Sequence, residues 1–152
     1  MKAIVLKYYD KGNEYVLLGK RRSIAGEDRW HVPEEHRKVN ERFSEAVERE
    51  VKEEAGIDVK VKRILWVEES FAYLHHVNLY FEAELVDPKQ EPKNLEPKKF
   101  YEWRWFRIDN LPSPLWTLEE FFKQHKNKTS IKKFGKNIKG FYRLRGSSGY
   151  NG

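Results

Sequence analysis

Glu41-Arg42-Phe43-Ser44-Glu45-Ala46-Val47-Glu48-Arg49-Glu50-Val51-Lys52-Glu53-Glu54-Ala55-Gly56-Ile57 is the stretch that decides the fold. No glycine or proline interrupts residues 41–55, and Phe43, Val47 and Val51 recur four apart, the spacing of one helix face. Gly56 supplies a C-terminal stop. The pattern predicts a helix over Glu41–Ala55. With Phe43 as zero, Val47 falls near about 40°, Glu54 about 20°, Glu50 about 340° and Glu53 about 280° around that helix. Two or three carboxylates thus lie along the apolar stripe, where an ordinary amphipathic helix has none. Glu45, Glu48 and Lys52 take the solvent side, as expected.

Grouped carboxylates repel one another and resist desolvation, so three near a buried edge need arginine, protons or a divalent cation. Arg49 neutralises only part of the charge. An all-oxygen set suits magnesium or manganese, which keep several waters and bridge to substrate phosphates. The chemistry so implied is metal-assisted phosphate transfer or hydrolysis. The spacing by itself also fits an acidic helix end that is salt-bridged to lysines.

Outward from the helix, residues 2–9 and 14–21 are apolar and β-prone around the turn-forming Asp10-Lys11-Gly12-Asn13, and read as a hairpin. Trp30-His31-Val32-Pro33 is a short strand that its proline ends. Residues 59–69, 74–86 and 101–108 read as further strands, with the Pro-containing loop Asp87–Lys99 before the last. Leu115–Gln124 reads as a second helix with Leu115, Leu118, Phe121 and Phe122 inward. Strands before, around and after one long helix give an α/β class, a mixed sheet packed between helices. There is no internal repeat.

At 152 residues, the chain is the size of one domain. Hydrophobic residues at 39% and aromatics at 14% suffice for a core. No apolar run approaches the roughly 18 residues of a membrane span, so a soluble, cytoplasmic, non-membrane protein is expected. With no cysteine, disulfides, thiolate metal sites and cysteine nucleophiles are excluded. Nine of the 30 basic residues lie from Lys123 onward with no acid among them, so residues 125–152 are expected to be a flexible basic tail and residues 1–124 the domain proper. A nucleic-acid partner and plain solubilisation are both compatible with such a tail.

Trp30-x-x-Pro33, then Glu41, then Arg49-Glu50-Val51-Lys52-Glu53-Glu54-Ala55-Gly56-Ile57 resembles the box of the Nudix hydrolases, matching its spacing and eight of its nine positions. Asn94-Leu95-Glu96-Pro97-Lys98-Lys99 followed by Trp103-Arg104-Trp105 is similar to the loop and strand of the MutT-related nucleoside triphosphate diphosphatases. The chain departs from the family where its paired glycines are Glu34-Glu35 and where the glycine before the first box glutamate is Asn40.

The resemblance implies the Nudix α/β/α sandwich and hydrolysis of a nucleoside diphosphate linked to a group X, with Mg²⁺ or Mn²⁺ as cofactor. Glu50, Glu53 and Glu54 match the family's metal and base positions, and Arg49 its helix-orienting arginine. Glu41 matches a supporting glutamate, the Glu34 carbonyl a metal contact, and Glu96 an extra carboxylate from outside the helix. Glu35 and His36 stand beside the expected phosphate path, where the two glutamates would oppose an anionic substrate. Tyr73, His75, Trp66 and Trp103 are aromatics that stack on a base or serve as core. The leading expected substrate is a nucleoside triphosphate, oxidised or modified purines included, cleaved to monophosphate and pyrophosphate. RNA 5′-end or cap hydrolysis and a non-catalytic nucleotide- or RNA-binding module stand as alternatives. Oligomeric state is open, a homodimer included.

Overall fold

The computed structural model describes residues 1–9, 13–71, 75–115 and 142–145. Alternating and β-branched runs form strands β1 (Lys2–Tyr9), β2 (Asn13–Arg21), β3 (Arg29–His31), β4 (Val59–Phe71), β5 (His75–Leu85) and β6 (Phe100–Arg107). The helix α1 spans Phe43–Ala55, two residues shorter at its start than the periodicity predicts. A further strand, β7 (Tyr142–Arg145), lies in the stretch whose composition announced no regular element. The second helix expected over Leu115–Gln124 falls, after Leu115, outside the described residues, as do Tyr73 and most of the basic tail. No helix among the described residues is long and apolar enough to cross a membrane.

The strands form one mixed sheet in the order β3-β2-β1-β5-β4-β7, with β6 pairing β2. β1 runs antiparallel to β2 and parallel to β5, and β4 is antiparallel to β5 and parallel to β7. One edge of β2 carries β6, and the other is shared between β1 and β3. Because successive side chains of a strand face opposite sides, both faces bury apolar residues. One face gathers Ile4, Leu6, Val16, Leu18, Trp30, Trp66 and Tyr80, with Leu115 packed among them. The other gathers Ala3, Val5, Leu17, Phe81, Phe100 and Trp103 under Val47, Val51 and Ala55 of α1. Full burial of side chains such as Leu17, Val51 and Ile57 contributes about 1.5–3 kcal/mol each.

Gly19 is fixed by packing. A Cβ built on it would lie 2.8 Å from three carbons of the Trp103 indole, so the ring lies flat against the β2 backbone. Gly19→Ala should overpack this contact and lower the urea midpoint by the equivalent of about 1–3 kcal/mol; an unchanged midpoint would show that the indole can move aside.

Candidate active site

The helix that carries the acids begins at Arg42, whose extended backbone N–H donates to Glu45 Oε2 at 2.8 Å. Its apolar stripe of Ala46, Val47, Val51 and Ala55 seats against the sheet, and that seating carries Glu50 and Glu54 into the interface. They are 5% and 1% exposed. Glu53, a quarter-turn away, has a half-exposed side chain. Phe43 marks the exposed start of the stripe, its ring 6.2 Å from that of Phe81.

The C-terminus of α1 brings in the second part of the site. Gly56 takes φ 68°, and its N–H donates to Lys52 O, a left-handed cap suited to glycine. The last carbonyls of a helix lack partners within it. Here the Lys93 N–H donates to Ala55 O at 2.8 Å and the Leu95 N–H to Glu54 O at 3.2 Å. The loop that caps the helix thereby delivers Glu96 and Lys99 to the carboxylate of Glu54. Lys99 Nζ lies 3.0 Å from Glu96 Oε2, 3.7 Å from Glu35 Oε2 and 3.8 Å from Glu54 Oε1.

Arg49 organises the other half. Its guanidinium grips Glu41 with two bonds, at 2.6 and 3.0 Å, and also contacts Glu50 and, at 3.0 Å, Glu53. The Arg49 bonds hold the Glu41 carboxyl at about 2. Burial pushes Glu50 upward against the pull of Arg49. Glu54 is raised to about 8, first by burial and then by Glu50 and Glu96, with Lys99 and the Glu34 backbone amide offsetting only part. Its Oε2 is buried without a hydrogen-bond partner.

That unbonded oxygen tests whether a metal suits the site. A desolvated carboxylate with a free oxygen, beside three further glutamates, is the hard-oxygen donor set that magnesium or manganese takes, and the residues fit. In the conformation described they are held by Arg49 and Lys99, and no three Asp, Glu or His side chains among the described residues converge as a ready ligand set.

The loop after β3 gives Glu34 and Glu35 partners within the protein. Glu34 forms an antiparallel bridge with Lys2, so its backbone is extended and needs no glycine. The conformation that glycine favours occurs at Asn40, with φ 62°, which asparagine tolerates. The Glu34 carboxylate turns to Lys2 at 2.6 Å, Arg21 at 3.2 Å and His31 at 3.5 Å. Burial would raise it, but His31 and Lys2 outweigh burial and hold it at about 2. Its charge is answered within the protein. Glu35 pairs with His36 at 3.0 Å as well as with Lys99, and the His36 ring is exposed.

Trp66 and Trp103 are core residues, and His75 is exposed at the start of β5. The residues that sequence reasoning missed are Lys99, which stands inside the quoted Asn94–Lys99 loop motif, and the clamp of Lys2, Arg21 and His31, which carries no motif.

The NUDIX domain family model matches residues 1–127. The NAD-capped RNA hydrolase NudC of Stutzerimonas stutzeri (strain A1501) is 33% identical over 73 residues, 48% of this chain and 25% of that protein. The match thus spans about a quarter of the length of that curated relative. The crystal structure of the MutT NUDIX hydrolase from Burkholderia pseudomallei is 27% identical with a TM-score of 0.62, covering 78% of this chain and 91% of that one. The NUDIX domain of Shewanella oneidensis NrtR complexed with ADP ribose, at 17% identity, a TM-score of 0.65 and coverage of 85% and 86%, is similar in fold alone.

The Glu34 clamp has a pH signature. A carboxyl depressed from 4.5 to about 2 on folding adds stability above its unfolded value, and that stability is lost as pH falls through the folded value. Glu34→Gln should cost on the order of 3 kcal/mol at pH 7 and flatten the loss of stability between about pH 4.5 and 2, read from denaturant midpoints. Equal midpoints for the two proteins at pH 7 would show that the clamp contributes nothing.

Proposed function

The chain belongs to the Nudix family, and from that premise we propose that it hydrolyses a nucleoside triphosphate, oxidised or modified purines included, to the monophosphate and pyrophosphate with Mg²⁺ or Mn²⁺. The observation that carries the reading is Glu54, a fully buried carboxylate with an unbonded oxygen at the end of an acidic helix. A cation belongs there because a buried anion is otherwise too costly to keep.

Glu50, Glu53 and Glu54, with Glu96 from the capping loop, are the residues that would hold the metal. The Glu34 carbonyl is a further oxygen for it: Pro33 O and Glu35 O bond back to Ala3 and Met1 of the first strand region, and successive carbonyls of an extended chain alternate in direction. When bound, the metal screens phosphate oxygens and acidifies water. One glutamate of the helix takes the proton of the attacking water as the phosphoanhydride bond between the monophosphate and pyrophosphate parts breaks. Arg49, held by Glu41, keeps Glu50 and Glu53 in register. The capping of α1 by residues 93 and 95 fixes the distance between the helix and Glu96.

The triphosphate reading is supported by the Asn94–Lys99 loop ahead of Trp103 and Trp105, and by the 27% identity with the MutT hydrolase. A second reading, hydrolysis at a capped or phosphorylated RNA 5′ end, is favoured by the NudC match and by the nine basic residues from Lys123 onward, which would bind a polyanion with strong salt dependence. Pyrophosphate release from a panel of normal and oxidised triphosphates, beside capped RNA, separates the two. Absence of turnover on every member of the panel would favour a binding module instead.

Glu53→Gln keeps volume and removes charge on a half-exposed side chain. It should lower Mg²⁺-dependent turnover on the order of 100-fold or more with an unchanged circular dichroism spectrum. A rate equal to wild type would remove Glu53 from the site.

A further inference from the structure

Lys99 is placed as no surface lysine needs to be. Its ammonium sits among three carboxylates from three separate segments: Glu35 of the loop after β3, Glu54 at the end of α1, and Glu96 of the capping loop. Its backbone is tied at both sides. The Lys99 N–H donates to Glu96 O at 2.9 Å, and the Lys99 carbonyl accepts from the Arg22 N–H at 2.8 Å. Arg22 is itself anchored, its Nε donating to Pro97 O at 2.9 Å and its guanidinium stacked 3.8 Å from the Tyr101 ring centre. The root of the side chain is fixed, while the side chain as a whole is 39% exposed.

The contacts are also uneven. At 3.0 Å the ion pair with Glu96 is close, but 3.7 and 3.8 Å to Glu35 and Glu54 exceed the usual length of a charge-assisted hydrogen bond. Lys99 therefore supplies charge to Glu54 without bonding it, and Glu54 Oε2 stays unbonded. A divalent ion approaches carboxylate oxygens to about 2.0–2.1 Å and carries twice the charge. Two cations in one small carboxylate set repel.

We propose that Lys99 is a resident counter-cation of the metal site: its ammonium holds Glu35, Glu54 and Glu96 together in the metal-free protein and is displaced when the divalent ion enters. This inference rests on the reading of the acidic helix end as a metal site. It explains why the carboxylates are gathered yet no three of them converge as a ligand set among the described residues. The lysine sets the affinity for metal rather than touching the substrate.

The test is metal binding without substrate. Free Mn²⁺ is followed by electron paramagnetic resonance as it is titrated into the wild type, Lys99→Met and Lys99→Arg. Removing the competitor should tighten Mn²⁺ binding about 10-fold in Lys99→Met, the equivalent of about 1.4 kcal/mol, while Lys99→Arg, which keeps the charge, stays near wild type. Lys99→Met that binds Mn²⁺ equally well or more weakly overturns the exchange and leaves the metal site standing. If neither the wild type nor Lys99→Met binds Mn²⁺, or if Glu54→Gln binds as well as wild type, the metal site itself is wrong and the exchange falls with it.

Discussion

The burial of Glu54 is the constraint on which the site depends. A carboxyl that is 1% exposed and raised from 4.5 to about 8 is disfavoured in its charged form by on the order of 5 kcal/mol. The helix accepts this because Val47, Val51 and Ala55 seat against the sheet on the same stripe. Apolar packing thus pulls two acids, Glu50 and Glu54, out of water. What surrounds them answers that cost in cations: Arg49 on one side and Lys99 on the other. A divalent ion would answer it more fully.

The loops are arranged by backbone requirements, and the site inherits their arrangement. Gly56 ends the helix in a left-handed residue, and the carbonyls of Glu54 and Ala55 then draw in the amides of Leu95 and Lys93. Glu96 and Lys99 arrive as a consequence. On the opposite side, β1 fixes the loop through Ala3 N to Pro33 O at 2.9 Å and through the Lys2–Glu34 pair. Glu34 serves as a bracket between β1, β2 and the β3 loop, and the left-handed turn needed before the helix is made by Asn40.

The helix and its acidic stripe were legible because both are local: a spacing of four, a glycine stop and an angle of about 100° per residue place Glu50 and Glu54 without any tertiary information. Glu41 and Arg49 were named through the family resemblance alone, and their bond joins a residue ahead of the helix to one eight positions on within it. The fate of Glu34 was not, since Lys2, Arg21 and His31 come together only through sheet register. Glu34 looked repulsive in sequence because its partners lie 3 to 32 residues away on other strands. Lys99 was visible as a residue of a motif, but its position beside Glu54 follows from helix capping by residues 93 and 95, which no side-chain pattern encodes. β7 is four residues within a stretch rich in lysine and glycine, too short for alternation to register.

The most direct measurement is the stability of the metal-free protein against pH, with and without Mg²⁺. A carboxyl raised on folding binds more protons in the folded state, so stability falls as pH rises from about 4.5 to about 8 and levels off beyond. If Glu54 keeps a proton where a cation would otherwise bind, denaturant midpoints should decline over that window in chelator, and saturating Mg²⁺ should abolish the decline. The same slope with and without Mg²⁺ would contradict a metal site at Glu54.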